Sequence, residues 1–146
     1  MSMTDTMETA LLKLIFQNVG AANIGDATGL LPSGAAGNLY ISLHTADPGE
    51  TGTQTTSEAT YTGYARVAVA RSSGGWTVAG NTASNAAAVT FPACTGGSST
   101  ITYFGIGFAS TLTGNLQFSG ALSASLAISN GITPSFAIGA LTVTAD

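Results

Sequence analysis

Leu39-Tyr-Ile-Ser-Leu-His44 decides the fold, because three large aliphatic residues, Leu39, Ile41 and Leu43, alternate there with Tyr40, Ser42 and His44. Successive side chains of an extended chain point to opposite faces, so this period of two predicts a strand with one buried face. Asp47-Pro48-Gly49 ends it with good turn chemistry, since proline presets its own φ and glycine tolerates positive φ.

Downstream the same pattern repeats. Tyr64–Arg71 sets Ala65, Val67 and Val69 against Tyr64, Arg66 and Ala68, and Ser72-Ser-Gly-Gly75 breaks it before Trp76-Thr-Val78. These two segments are expected to pair as a hairpin. Further strands are expected at Ala86–Phe91, Ile101–Phe108, Asn115–Leu122, Leu126–Ser129 and Ser135–Thr144, with Pro92, Gly96-Gly97, Thr113-Gly114 and Asn130–Pro134 between them. Turns at this spacing, with no alternating strand and helix units, predict a mainly β fold. The expected architecture is an antiparallel β-sandwich, jelly-roll-like, with one N-terminal α-helix.

Upstream of the first strand the period changes to that of a helix. Asp5 followed by Glu8 reads as a capping-box-like start, and apolar residues recur at Met7, Ala10, Leu11, Leu14 and Ile15, ending near Gly20. So short a helix is marginal alone, and its stripe must dock on its own domain or on a neighbour. Met7, Leu11, Leu14 and Ile15 are therefore candidate assembly contacts. Ala21–Asn38 has neither period and reads as an irregular arm. The expected organisation is residues 1–38 as helix and arm, and residues 39–146 as a single β-sandwich domain. The polar stretch Gly49–Thr60 is expected to be an exposed contact loop, which makes Asp47, Glu50 and Glu58 candidate assembly residues.

Composition bears on function. Only 7% of the 146 residues are charged, whereas a soluble domain usually carries about 25%. A surface so poor in ions suits a subunit covered by others, because burying Thr, Ala and Val at a contact avoids the desolvation of charge. A homo-oligomer, dimer or trimer, is expected. The net charge is −4 and the cations are Lys13, Arg66 and Arg71, too few to neutralise phosphates, so no nucleic-acid partner is expected. No apolar run approaches the ~20 residues of a membrane helix, and no membrane partner is expected. Cys94 is the only cysteine, which excludes an intrachain disulfide. The acidic start reads as mature protein made in the cytoplasm.

Groups for catalysis are few. His44 lies near Asp47, but a hydrolase would need a serine beside them and no G-x-S-x-G elbow presents one, so a hydrogen-bonded histidine at a strand end is favoured. Cys94 and His44 cannot supply the four ligands of a structural zinc, and Asp47, Glu50 and Glu58 lack EF-hand spacing. No catalytic residue, cofactor or metal is expected. Gly105-Ile-Gly107 lacks the third glycine of a dinucleotide fingerprint, and these glycines are better read as allowing close backbone approach or a bulge. Tyr40, Tyr61, Tyr64, Trp76 and Tyr103 could stack on sugars, although rings on strands more often serve core or subunit contacts. Arg66 and Arg71 have opposite strand parity, so each is expected to pair with a carboxylate at a contact. Tyr64, Arg66, Arg71 and Trp76 are accordingly candidate interface residues.

A family resemblance runs from about Leu39 to Asp146. It is carried by Leu39–Pro48, Tyr64-Ala-Arg-Val67, Ala88-Val-Thr-Phe-Pro92, Ile101–Ile106, Gly114–Leu122 and Leu141–Asp146. In their order these segments resemble a family of small tailed-bacteriophage virion proteins, often called tail-fibre proteins and also similar to jelly-roll cement or decoration subunits of phage heads. The resemblance implies a non-enzymatic virion component made in the host bacterial cytoplasm, with no catalytic residues to carry over. The absence of heptads or fibrous repeats favours the head surface over the tail. The expected role is a cement protein that clamps neighbouring major capsid subunits or other virion subunits. The alternative is a tail-fibre or tail-tip module that binds a host surface receptor or glycan.

Overall fold

The computed structural model describes residues 2–146. They form one helix, α1 (Asp5–Gln17), and nine strands: β1 (Asn38–His44), β2 (Val67–Ala70), β3 (Trp76–Ala79), β4 (Thr82–Asn85), β5 (Val89–Thr90), β6 (Ser98–Gly107), β7 (Leu116–Ser129), β8 (Ser135–Phe136) and β9 (Thr142–Thr144). The fold is mainly β with antiparallel sheets and a single helix, as the periodicity implies. The sheets have the orders β2-β1-β6-β7, β3-β4-β9 and β5-β8. No described helix is long and apolar enough to cross a membrane.

The residues group into two compact units. One takes the chain up to Asn38 together with Val69–Val89 and Phe136–Asp146; the other takes Leu39–Ala68 and Thr90–Ser135.

In the first unit, α1 packs on β3 and β4. Its buried face is Glu8, Leu12 and Phe16, one turn apart, not the expected Met7, Leu11, Leu14 and Ile15. Met7 is exposed and the other three are half-buried. Phe16 decides this rotation, because its ring meets Trp76 edge-on at 4.7 Å, and Trp76 is wholly buried. The capping box does not form either: Thr4 is the N-cap without a side-chain bond, and Asp5 and Glu8 instead place negative charge in the first turn. The helix stops at Asn18, which adopts left-handed φ of 56°. The arm is irregular apart from the bridge Ala21↔Leu30.

The expected hairpin between Tyr64–Arg71 and Trp76–Val78 is replaced by another pairing. β3 pairs with β4, and β2 lies beside β1. Gly80 at φ 57° makes the β3–β4 turn, so the short polar strand Thr82–Asn85, which carries no apolar alternation, becomes the partner. Ser135–Thr144 divides into β8 and β9 around Gly139 at φ 73°. The buried Asn85 amide holds that division: its Nδ2 donates to the Ala137 carbonyl at 2.8 Å, and its Oδ1 accepts from the Leu141 N–H at 2.9 Å.

In the second unit, β1 is an inner strand flanked by β2 and β6. Ile41↔Ile106 and Leu43↔Phe104 are cross-strand pairs on the core face, and Ser42↔Gly105 and His44↔Tyr103 are pairs on the opposite face. β7 joins the two segments expected at Asn115–Leu122 and Leu126–Ser129. Its register with β6 still breaks where residues 122–125 stand against Thr102, a bulge at the predicted gap.

Candidate functional site

Two glycines on β6 shape the second unit. A side chain at Gly105 would meet His44 Nε2 at 2.6 Å, Leu116 Cδ1 at 2.6 Å and Ser42 Oγ at 2.7 Å, and one at Gly107 would run into Gln54. With both side chains absent, the segment from Gln54 to Glu58 lies across this face of the sheet. The predicted exposed loop is therefore partly interior: Gln54 is fully buried, its amide donating to the Tyr40 carbonyl and accepting from the Ala109 N–H at 3.0 Å. Close backbone approach is the use of Gly105 and Gly107 that the sequence implies, and a register shift does fall at Ile106/Gly107.

Beneath this cover β1 buries both of its faces, not one, with Ser42 and His44 at 0% exposure. His44 Nδ1 lies 2.7 Å from the Thr56 carbonyl, which can only accept, so Nδ1 carries the proton. Nε2 then accepts from the Ser42 hydroxyl at 2.8 Å. Burial pushes the imidazole below its ordinary pKa, against the opposing pull of the Thr56 bond and the Glu58 charge. A serine does accompany the histidine, two residues earlier on the same strand. The signal was the i, i+2 spacing itself, which places both on one face. Both side chains are fully buried.

Glu58 holds the next shell together. Its carboxylate takes two bonds from Arg66, Nε to Oε1 at 2.7 Å and Nη2 to Oε2 at 2.8 Å, and one from the Tyr64 hydroxyl at 2.8 Å. Tyr64 also accepts from the Leu43 N–H at 3.1 Å, and burial pushes its hydroxyl far above the usual range. Arg66 is held above its ordinary pKa chiefly by the Glu58 bond. Its remaining donors fix the Ala109 and Leu112 carbonyls, each at 2.9 Å. Tyr64 stacks near Phe91 at 6.3 Å and meets Tyr61 edge-on at 5.4 Å.

These positions correct several expectations. Glu58 and Arg66 neutralise each other within the chain and are not free for a partner. Arg71 meets no carboxylate: its Nε and Nη2 donate to the Ile15 and Leu14 carbonyls at 2.7 and 2.8 Å, and its Nη1 donates to Ser33 Oγ and the Ala36 carbonyl. These carbonyls at the helix end lack partners inside α1, which is why a guanidinium is satisfied there. Trp76, wholly buried, offers no surface to a partner. Among the described residues, no three His, Cys, Asp or Glu side chains converge on a metal position.

Where the covering segment ends, the face is open. A groove of about 540 Å³ lies between a wall of Asp47, Gly49, Glu50 and Gly52 and a floor formed by Tyr103 and residues 116–121 of β7. Asp47 caps its own turn, accepting from the Gly49 N–H at 2.9 Å, and Gly49 takes φ 72°. Of the expected loop contacts, Asp47 and Glu50 thus share one wall, and Glu58 belongs to the interior. Tyr103 pairs with Ala121 and Gly105 with Ser119, so Tyr103, Ser119 and Ala121 share the open face. The sequence marked Tyr103 only as one ring among five; what singles it out is the glycine-lined gap beside it.

Residues 2–144 match the family model described as podophage GP4 fiber I protein gp80. No curated protein matches the chain. The chain belongs to this fiber I family and is a bacteriophage virion protein.

Proposed function

We propose that this family member is a non-enzymatic structural subunit of a phage tail fibre, acting as a module that touches the host surface. The family description supports the fibre assignment. The observation that carries the non-enzymatic role is the sealing of Ser42 and His44 under the Gln54–Glu58 segment, because a nucleophile and base without access cannot turn over a substrate.

The head-cement reading rested on the absence of heptads and fibrous repeats and on a helix and arm suited to lying along neighbours. Here Leu12 and Phe16 are already buried. The arm is tied down as well, through Asn18 to Ser33 and through Arg71 to Ser33 and Ala36. Met7, Val19, Leu30 and Leu31 nonetheless stay exposed on the helix and arm, so it is the family description that favours the fibre.

Immunogold labelling of intact particles with antibody to this chain tests the choice. Label at the tail is the expected result; label distributed over the head would overturn it in favour of the cement role.

A further inference from the structure

We propose that the groove between the Asp47–Gly52 wall and the Tyr103–β7 floor is a binding site for a short saccharide that is neutral or carries free amines. The inference deepens the fibre reading and rests on it for its biological setting, but its chemistry is that of the groove.

The floor is a half-buried aromatic ring, Tyr103, flanked on the same face by the small side chains of Ser119 and Ala121. A sugar ring needs such an arrangement, a flat apolar platform for its C–H face with hydrogen-bonding groups around the rim. The rim is polar. Asp47 and Glu50 supply carboxylate acceptors, Gln117 an amide and Ser119 a hydroxyl. Gly49, with open space where a side chain would stand, leaves backbone within reach.

Charge narrows the class. No cation lines the groove, and the second unit's only basic side chain besides His44, Arg66, is held by Glu58, Ala109 and Leu112. A phosphorylated, sulfated or uronic-acid polymer would bring its anions against two carboxylates with nothing to balance them. Hydroxyls donate to those carboxylates, and an ammonium group does so more strongly. The site is also pre-formed. Tyr103, Ser119 and Ala121 stand on paired strands, and the wall continues into the segment pinned by Gln54 and by the Thr56–His44 bond. Little ordering is left to oppose binding.

The test uses the intact chain on an array of N-acetylated hexosamine oligomers, their de-N-acetylated counterparts and polyuronate oligomers. Purified host lipopolysaccharide and host capsule are separate arms that distinguish the source of the sugar. Binding to the first two classes and not to polyuronate is expected, with about a tenfold loss in Tyr103→Ala. Ser119→Trp, which fills the opening, should abolish binding while leaving the thermal midpoint near that of the parent. Asp47→Asn with Glu50→Gln should weaken the amine-bearing oligomers more than the acetylated ones. No saccharide binding, a preference for polyuronate, or binding undiminished in Ser119→Trp overturns the proposal. Tail labelling with no saccharide binding removes the groove assignment alone, and saccharide binding with head labelling removes the fibre reading alone.

Discussion

Single atoms decide how the face of β1 and β6 is covered. Adding one methyl group at Gly105 forces it against His44 Nε2, Ser42 Oγ and Leu116 Cδ1, two of them within a fully buried hydrogen-bonded pair. Gly105→Ala should therefore lower unfolding free energy by about 1–3 kcal/mol, measured by denaturant titration. His44 gives a pH signature. Its folded pKa lies below the unfolded value of 6.5, so the unfolded chain takes up the proton first on acidification. The stability from neutral His44 is complete above pH 6.5 and is lost as pH falls through the folded pKa. The thermal midpoint should drop below about pH 6.5 in the parent. His44→Gln should flatten that step, leaving only the carboxylate titrations at lower pH. Gln54 and Thr56 had no signal as isolated polar residues; they matter because Gly105 and Gly107 leave room for the segment that carries them.

At the scale of elements, the helix shows how one side chain reorients a prediction. The apolar positions of α1 fit two faces, Met7-Leu11-Leu14-Ile15 and a second one through Leu12 and Phe16. The larger ring wins, because Phe16 fills the space against Trp76. Arg71 closes the other end, and it does so from the residue after β2, far away in sequence. Removing it leaves the Leu14 and Ile15 carbonyls without these donors. Arg71→Ala should lower stability by about 1–3 kcal/mol and fray the last turn of α1, read as lost helical signal in circular dichroism. Strand existence was legible in the alternation of Leu39–His44 and Ile101–Phe108. Strand pairing was not, and the Trp76–Ala79 strand chose the polar Thr82–Asn85 because the turn at Gly80 brings it adjacent.

For the whole molecule, the shortage of ions becomes sharper once the arginines are placed. Arg66 and Arg71 make their bonds inside the chain, so among the described residues Lys13 is the one basic side chain of Lys or Arg type left for a surface role. We propose that copies associate through apolar or neutral contacts. Sedimentation is expected to detect self-association that changes little between about 0.1 and 1 M salt, where ion-pair contacts would be screened. A monodisperse monomer at high concentration would refute this. By itself the sequence determined the β class, the N-terminal helix, the positions of most strands and the poverty of charge, because these follow from local periodicity and composition. Which strands pair, which face of the helix is buried, that Glu58 turns inward to Arg66, and that a groove opens beside Tyr103 were decided only by tertiary structure. Each of these depends on residues distant in sequence meeting across space, where the absence of a side chain on Gly105 or Gly107 counts as much as the presence of one elsewhere.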